Sequence, residues 1–413
     1  MAEIKDFNRN QYLLKAGKNK SEKKDETDRD KASMNSMLAR HRQLKLYTVL
    51  FVLAAVAVVA AISYIGWKNK VYTDYEIIQQ NVWERSSEAK SMNLGGTLFT
   101  YSNDGMSCTD TKGKIIWNQT YEMQNPIIRT CQKTVAVGDY NGRSIYVSDT
   151  LGTLGTIETT MPIRDFCVSS NGIVAAVLDD SKVTAIYLYS AKEKGKALAY
   201  FKTTMSKSGY PIAIDISDDG CQVAISYVKA EDGKVSSSIG FYNFSAVGQN
   251  YTDNLVSGYG YSGAVVPLIH FMGNDTVFAV ADNRLMFFKG KQKPESLADI
   301  LISEEIQSVF YDDKHVGLVF YNTAADTTYR VEIYDTNAKK VSEIAFNMEY
   351  NDILFDQSGV IIYNENDCIM YDWDNRLKYQ GAFKDQVTCF IPSGNIARHT
   401  LITDDTIQLI ELK

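Results

Sequence analysis

The residue types that most often mark chemistry are scarce in this chain: its 413 residues hold six cysteines, four histidines and six prolines. No two cysteines form a C-x-x-C pair, and the histidines are scattered, which excludes a zinc framework and a dense disulfide scaffold. A basic excess is missing as well. The 43 Lys and Arg against 50 Asp and Glu leave a net charge of -7, which argues against nucleic acid as the main partner. Disorder over the whole length is excluded by a hydrophobic share of 45% and a charged share of 23%. Long apolar runs are absent, with one exception.

That exception is Leu46 to Trp67, LYTVLFVLAAVAVVAAISYIGW, 22 residues without a charge. As a helix it spans about 33 Å, enough to cross a bilayer, and it is too long for the apolar stretch of a signal peptide. Tyr47 at one end and Tyr64 and Trp67 at the other stand where aromatic rings settle at the two membrane interfaces. Lys31, Arg40, Arg42 and Lys45 precede the run, against Lys68 and Lys70 after it. This bias places the N-terminus in the cytoplasm and residues 68–413 outside the cell membrane. Residues 1–45 carry 12 basic and 7 acidic side chains and few large apolar ones, and read as a disordered basic tail.

Residues 68–413 carry 31 basic and 43 acidic residues, a net of -12. Their pattern is almost wholly strand: short apolar runs such as TLFTYSND, TVAVGDY, IVAAVLDD, TVFAVAD and RLMFFK, bounded by Gly, Asn and Asp. Turns before one class of strand recur at Gly96, Lys133, Gly172, Gly220, Asn274, Asp313, Ser358 and Gly394, with gaps of 37, 39, 48, 54, 39, 45 and 36 residues. Those gaps match the length of a four-stranded propeller blade. The expected fold is therefore all-β, a single β-propeller of eight blades, with seven as the alternative. The last repeat has room for only three strands, while YEIIQQNV, within 74–82, has no partners. Pairing the two closes the ring and leaves no open end.

Within the first repeat, NDGMSCTDTKGKIIWNQTYEMQNP resembles the unit of quinoprotein-type propellers, in which a Gly-Lys turn leads into a strand ending in Trp. The match falls on Gly113, Lys114 and Trp117, and it implies that Trp117 packs between blades. A longer series resembles an uncharacterised family of single-pass, membrane-anchored propeller proteins from anaerobic Gram-positive bacteria. It comprises the basic tail and anchor, YSNDGMSCTDTKGKIIWNQTYEMQNP, SGYPIAIDISDDG, FYNFSAVGQNYTDNLV and IQSVF. The resemblance implies an extracytoplasmic propeller and carries no catalytic residues.

No motif for chemistry has its required context. Gly258, Gly260 and Gly263 spell G-x-G-x-x-G, but an apolar run broken by Pro267 follows instead of a helix, so no dinucleotide cofactor is expected. Asp215, Asp218 and Asp219 in DISDDG lack the rest of a calcium loop, and a hairpin turn accounts for them. Cysteines at repeated positions, such as Cys131, Cys167 and Cys389, read as unpaired packing residues. The segment that stands above background is SAVGQNYTDNLVSGYGYSG, read as a long polar loop whose Tyr251, Tyr259 and Tyr261 offer a ligand-binding surface. The resulting expectation is a non-catalytic binding, scaffold or sensing module at the cell envelope, with a protein or envelope glycan as partner. The alternative is a quinoprotein-dehydrogenase-like or glycosidase-like enzyme using the central channel.

Overall fold

The computed structural model of the protein describes residues 3–83, 89–179, 184–203, 208–231, 233–322 and 326–413, except for the side chains of 3–30, 32, 67 and 231. The chain divides into two compact units, 1–70 and 71–413.

The first unit is one helix, Glu3–Lys68. Its apolar part lies within Ser33–Gly66, reaches a mean hydropathy of 2.6 and is not buried against other protein. Tyr47 and Tyr64 are exposed on it, and the side chain of Trp67 lies outside the described residues. Residues 3–45, expected to be irregular, are helical. The physical reason is composition: the tail has no proline and one glycine, Gly17, and is rich in Lys, with Arg and Leu beside it. Low hydropathy denies such a segment a core but not helical backbone hydrogen bonds.

The second unit is an eight-bladed β-propeller of four-stranded antiparallel sheets. Blades 1 to 7 are formed by four successive strands each, within 90–120, 126–158, 163–203, 210–262, 268–301, 308–346 and 352–382. Blade 8 takes three strands from 389–412 and its outermost strand from Tyr75–Val82. That strand pairs antiparallel with Thr406–Leu412, from Tyr75 opposite Leu412 to Val82 opposite Thr406. The eight turns found in the sequence link the innermost and second strands of the blades; Gly394 stands in a bulge just before its turn.

The apolar runs are continuous because blades are covered on both faces. In Thr276–Ala281 of blade 5, Val277, Ala279 and Ala281 pack toward blade 4, and the intervening Phe278 and Val280 pack toward blade 6. The described core is accordingly eight apolar clusters, one for each junction between neighbouring blades. Repetition extends to the turns before several outer strands. Asp110, Asp335 and Asp372 each accept two main-chain N–H bonds at 2.8–3.0 Å, and the third residue on adopts positive φ: Gly113, Ala338 and Asn375. The carboxylate replaces turn hydrogen bonds, and the left-handed position suits Gly and Asn.

Candidate functional site on the inner strands

The first strands of neighbouring blades lie side by side around the axis, so the residues they carry converge from distant parts of the sequence. Five consecutive blades contribute polar groups there. Arg129 of blade 2 donates from Nη2 to Asp165 Oδ1 of blade 3 at 2.7 Å. Asp215 Oδ2 of blade 4 lies 2.8 Å from Nδ1 of His270 in blade 5 and also accepts the Phe271 N–H at 2.7 Å. The His270 ring stands 4.4 Å from that of Tyr311 in blade 6.

At the adjoining turns, Asp218 joins three further blades. Its carboxylate accepts from Cys131 Sγ at 3.2 Å and from Gln132 Nε2 at 2.5 Å. Its carbonyl accepts from Ser170 Oγ at 2.8 Å, and its N–H donates to Gly273 at 3.3 Å. Asp219 instead closes its own turn, through Ser217 Oγ at 2.7 Å and the Cys221 N–H at 3.0 Å. The three aspartates of DISDDG thus take different partners. Among the described residues no group of three His, Cys, Asp or Glu is arranged to hold a metal.

The electrostatics follow from burial beside like charges. Burial raises the Asp165 carboxyl above its ordinary range despite Arg129. Burial pulls the His270 imidazolium the other way, but Asp215, Asp313 and Asp218 more than offset it, and the net direction is up. Asp313 is raised by burial and by Asp218. All six cysteines are free, burial raises every thiol, and a nearby carboxylate adds to this at each of them. A thiol held protonated is a poor nucleophile.

The tyrosines singled out in the sequence are placed differently. Leu255–Ser262 is not loop but the outer strand of blade 4, and the alternation of Tyr259 and Tyr261 with glycine is a strand period. The Tyr259 ring packs 4.9 Å from Phe288 of blade 5, and its hydroxyl donates to Pro294 O at 3.1 Å. Tyr261 sits under the Arg284 guanidinium at 5.5 Å, and burial pushes its hydroxyl up to about 12. Only Tyr251, between the turns Gly248–Asn250 and Thr252–Asn254, is largely free, at 42% exposure. Tyr259→Ala is therefore expected to cost about 2–3 kcal/mol in urea unfolding. Tyr251→Ala should stay within about 0.5 kcal/mol of the parent, and equal losses would contradict this placement. Gly258 and Gly260 lie in the same strand and open no helix. Trp117 bridges blades, its Nε1 donating to Asp149 O of blade 2 at 2.8 Å.

Arg129 and the pairing of Asp215 with His270 escaped sequence reading. They come from repeats about forty residues apart. Aligning polar positions within the inner strands, counted back from each repeat turn, is the signal that would have gathered them.

A family model described as a family of unknown function, DUF5711, matches residues 68–412. The chain belongs to this family. The matched region is the propeller, so DUF5711 is here an eight-bladed fold following one apolar helix. No curated protein matches the chain. Among solved structures, Sqt1 from Chaetomium thermophilum is similar at 12% identity and TM-score 0.52, over 81% of this chain and 98% of that one. The Dos1 propeller is similar at 11% identity and TM-score 0.52, over 82% and 95%. BamB from Moraxella catarrhalis shows 10% identity and a TM-score of 0.46, over 82% and 100%. At such identities the likeness of the first two is one of fold, and fold does not carry function.

Proposed function

We propose that this DUF5711 protein is a non-catalytic binding or scaffold module, held by its N-terminal helix at the cell membrane with the propeller outside. The observation that carries the reading is that four charged groups on the inner strands of blades 2 to 5 pair with one another. Arg129 holds Asp165, and His270 holds Asp215. A glycosidase needs one free carboxylic acid and one free carboxylate, and a thiol enzyme needs an activated sulfur. The groups nearest the axis here lace blades 2 to 5 together instead, which suits a rigid platform whose surface presents partners to one another. The apolar segment within Ser33–Gly66, exposed along its length, supports the anchor, and the basic residues before it support a cytoplasmic tail.

Two measurements test this reading. Protease added to intact protoplasts is expected to remove the chain after Trp67 and to spare the tail; a protected propeller with a digested tail would reverse the orientation. Purification from detergent-solubilised membranes is expected to retain a stoichiometric protein or glycan partner. Turnover of a glycoside or quinone-dependent substrate, abolished by Asp165→Asn or Asp215→Asn in a chain of unchanged stability, would reject the binding reading.

A further inference from the structure

Blade 3 runs against the charge of its domain. Residues 68–413 carry a net of -12, yet 184–203, the two outer strands of this blade and the turn between them, hold Lys192, Lys194, Lys196 and Lys202 against Glu193 alone. Two carboxylates border the turn, and both are engaged. Glu193 pairs with Lys196 at 3.4 Å, and Glu158 at the end of the blade 2 outer strand accepts from Ser144 Oγ at 3.0 Å. Lys192, Lys194 and Lys202 have no acidic partner among the described residues.

An aromatic stack stands beside these lysines. Tyr189, Tyr187 and Tyr200 lie nearly parallel, with ring centroids 5.6 and 5.1 Å apart and interplanar angles of 12° and 13°. Its inner end is fixed: Tyr189 is buried in the junction between blades 2 and 3, where Tyr187 also packs. Its outer end is open: Tyr200 is exposed at 61% and meets no second ring among the described residues. The strand period sets Lys202 on the same face as Tyr200. Lys192 lies toward the same junction, since a methyl group on Gly172 would stand 3.9 Å from its Cε and 3.1 Å from Leu154 Cδ1 of blade 2. Guarding a sheet edge accounts for lysines on an outer strand, but not for the exposed Leu198 and Tyr200 between them.

We propose that this strip binds a linear anionic polysaccharide, with one sugar ring on the open face of Tyr200 and neighbouring acid groups at Lys192, Lys194 and Lys202. The face of an aromatic ring is electron-rich and attracts the partly positive C–H bonds of a sugar, as it would the edge of a fourth ring. Two other polyanions fit less well. Residues 68–413 outside this strip carry -15, which an anionic membrane plane would face and a thin chain, screened beyond about 8 Å, would not. An acidic peptide would add to the edge as a strand, but a bulge at Leu198 interrupts that edge, between Ala197 opposite Tyr189 and Ala199 opposite Leu188. The proposal rests on the binding reading above and names the class of its partner.

Titration of the full chain in detergent micelles, at about 0.15 M salt, tests it. Polygalacturonate or dextran sulfate is expected to bind and neutral dextran is not; the tighter of the two polyanions identifies the acid group as carboxylate or sulfate. Tyr200→Ala and, separately, Lys192→Gln with Lys202→Gln are expected to weaken binding at least tenfold with an unchanged thermal melt. Lys112→Gln with Lys314→Gln, the same change of charge placed in blades 1 and 6, is expected to leave the affinity within about twofold. No binding to either polyanion, or an affinity unmoved by both blade 3 variants, would overturn the proposal. So would tighter, blade 3-dependent binding to phosphatidylglycerol vesicles or to polyglutamate. If such a failure came with a stoichiometric protein partner, the binding reading would still stand; turnover of substrate would reject that reading instead.

Discussion

A chain beginning at Ser91 is expected to aggregate or to lose its cooperative melt, whereas one beginning at Val71 should melt as a single unit. The difference is the segment that closes the ring. Tyr75–Val82 supplies the fourth strand of blade 8, and its removal strips the edge of Thr406–Leu412. Both ends of the segment are pinned. The Tyr72 N–H donates to Lys378 O at 2.7 Å, and the Tyr75 hydroxyl accepts the Lys384 N–H at 2.7 Å. At the far end Trp83 donates from its main chain to Asp405 O at 3.0 Å and from Nε1 to Thr403 O at 3.2 Å. Tyr72, Tyr75 and Trp83 are all buried. At roughly 1.5–3 kcal/mol for each buried aromatic, their loss removes about 5 kcal/mol or more. That is a large part of the ~5–15 kcal/mol that holds a folded domain together. Calorimetry decides the matter: an unchanged melting temperature for the chain starting at Ser91 would show that seven complete blades suffice.

Two histidines should give the propeller opposite pH slopes. His399 is fully buried in blade 8; its Nε2 lies 3.1 Å from Ile396 O and its Nδ1 has no partner. Burial lowers its pKa to about 4. In the unfolded chain it takes a proton near 6.5, so between about 6.5 and 4 protons favour unfolding and stability falls as pH falls. The loss over that range is about 3 kcal/mol. His270 behaves in reverse. Its folded pKa is raised, so the Asp215 pair contributes fully below about 6.5, and that contribution is lost as pH rises through the folded value. His399→Gln should flatten the acid limb of stability measured in urea between pH 4 and 9, and His270→Gln the alkaline limb. Limbs unchanged by both substitutions would refute the assignment.

Particular residues show how much could be read without coordinates. TVFAVA was legible as a strand because both of its faces are apolar, and the turn spacing made it one of eight equivalent units. Helical order in residues 3–45 was not legible, because low hydropathy speaks only to burial. The glycines around Tyr259 and Tyr261 mimic a flexible loop, although the same alternation fits the strand they form.

Local periodicity and turn residues close in the chain are enough to dictate the apolar helix, the all-β repeat and its length. Tertiary structure alone decided which side chains meet at the axis. Arg129 finds Asp165, and Asp215 finds His270, because ring closure sets inner strands from different repeats side by side. Nothing local encodes such a pair: each residue lies in an ordinary strand, and its charge acquires a partner only when eight separate sheets pack face to face.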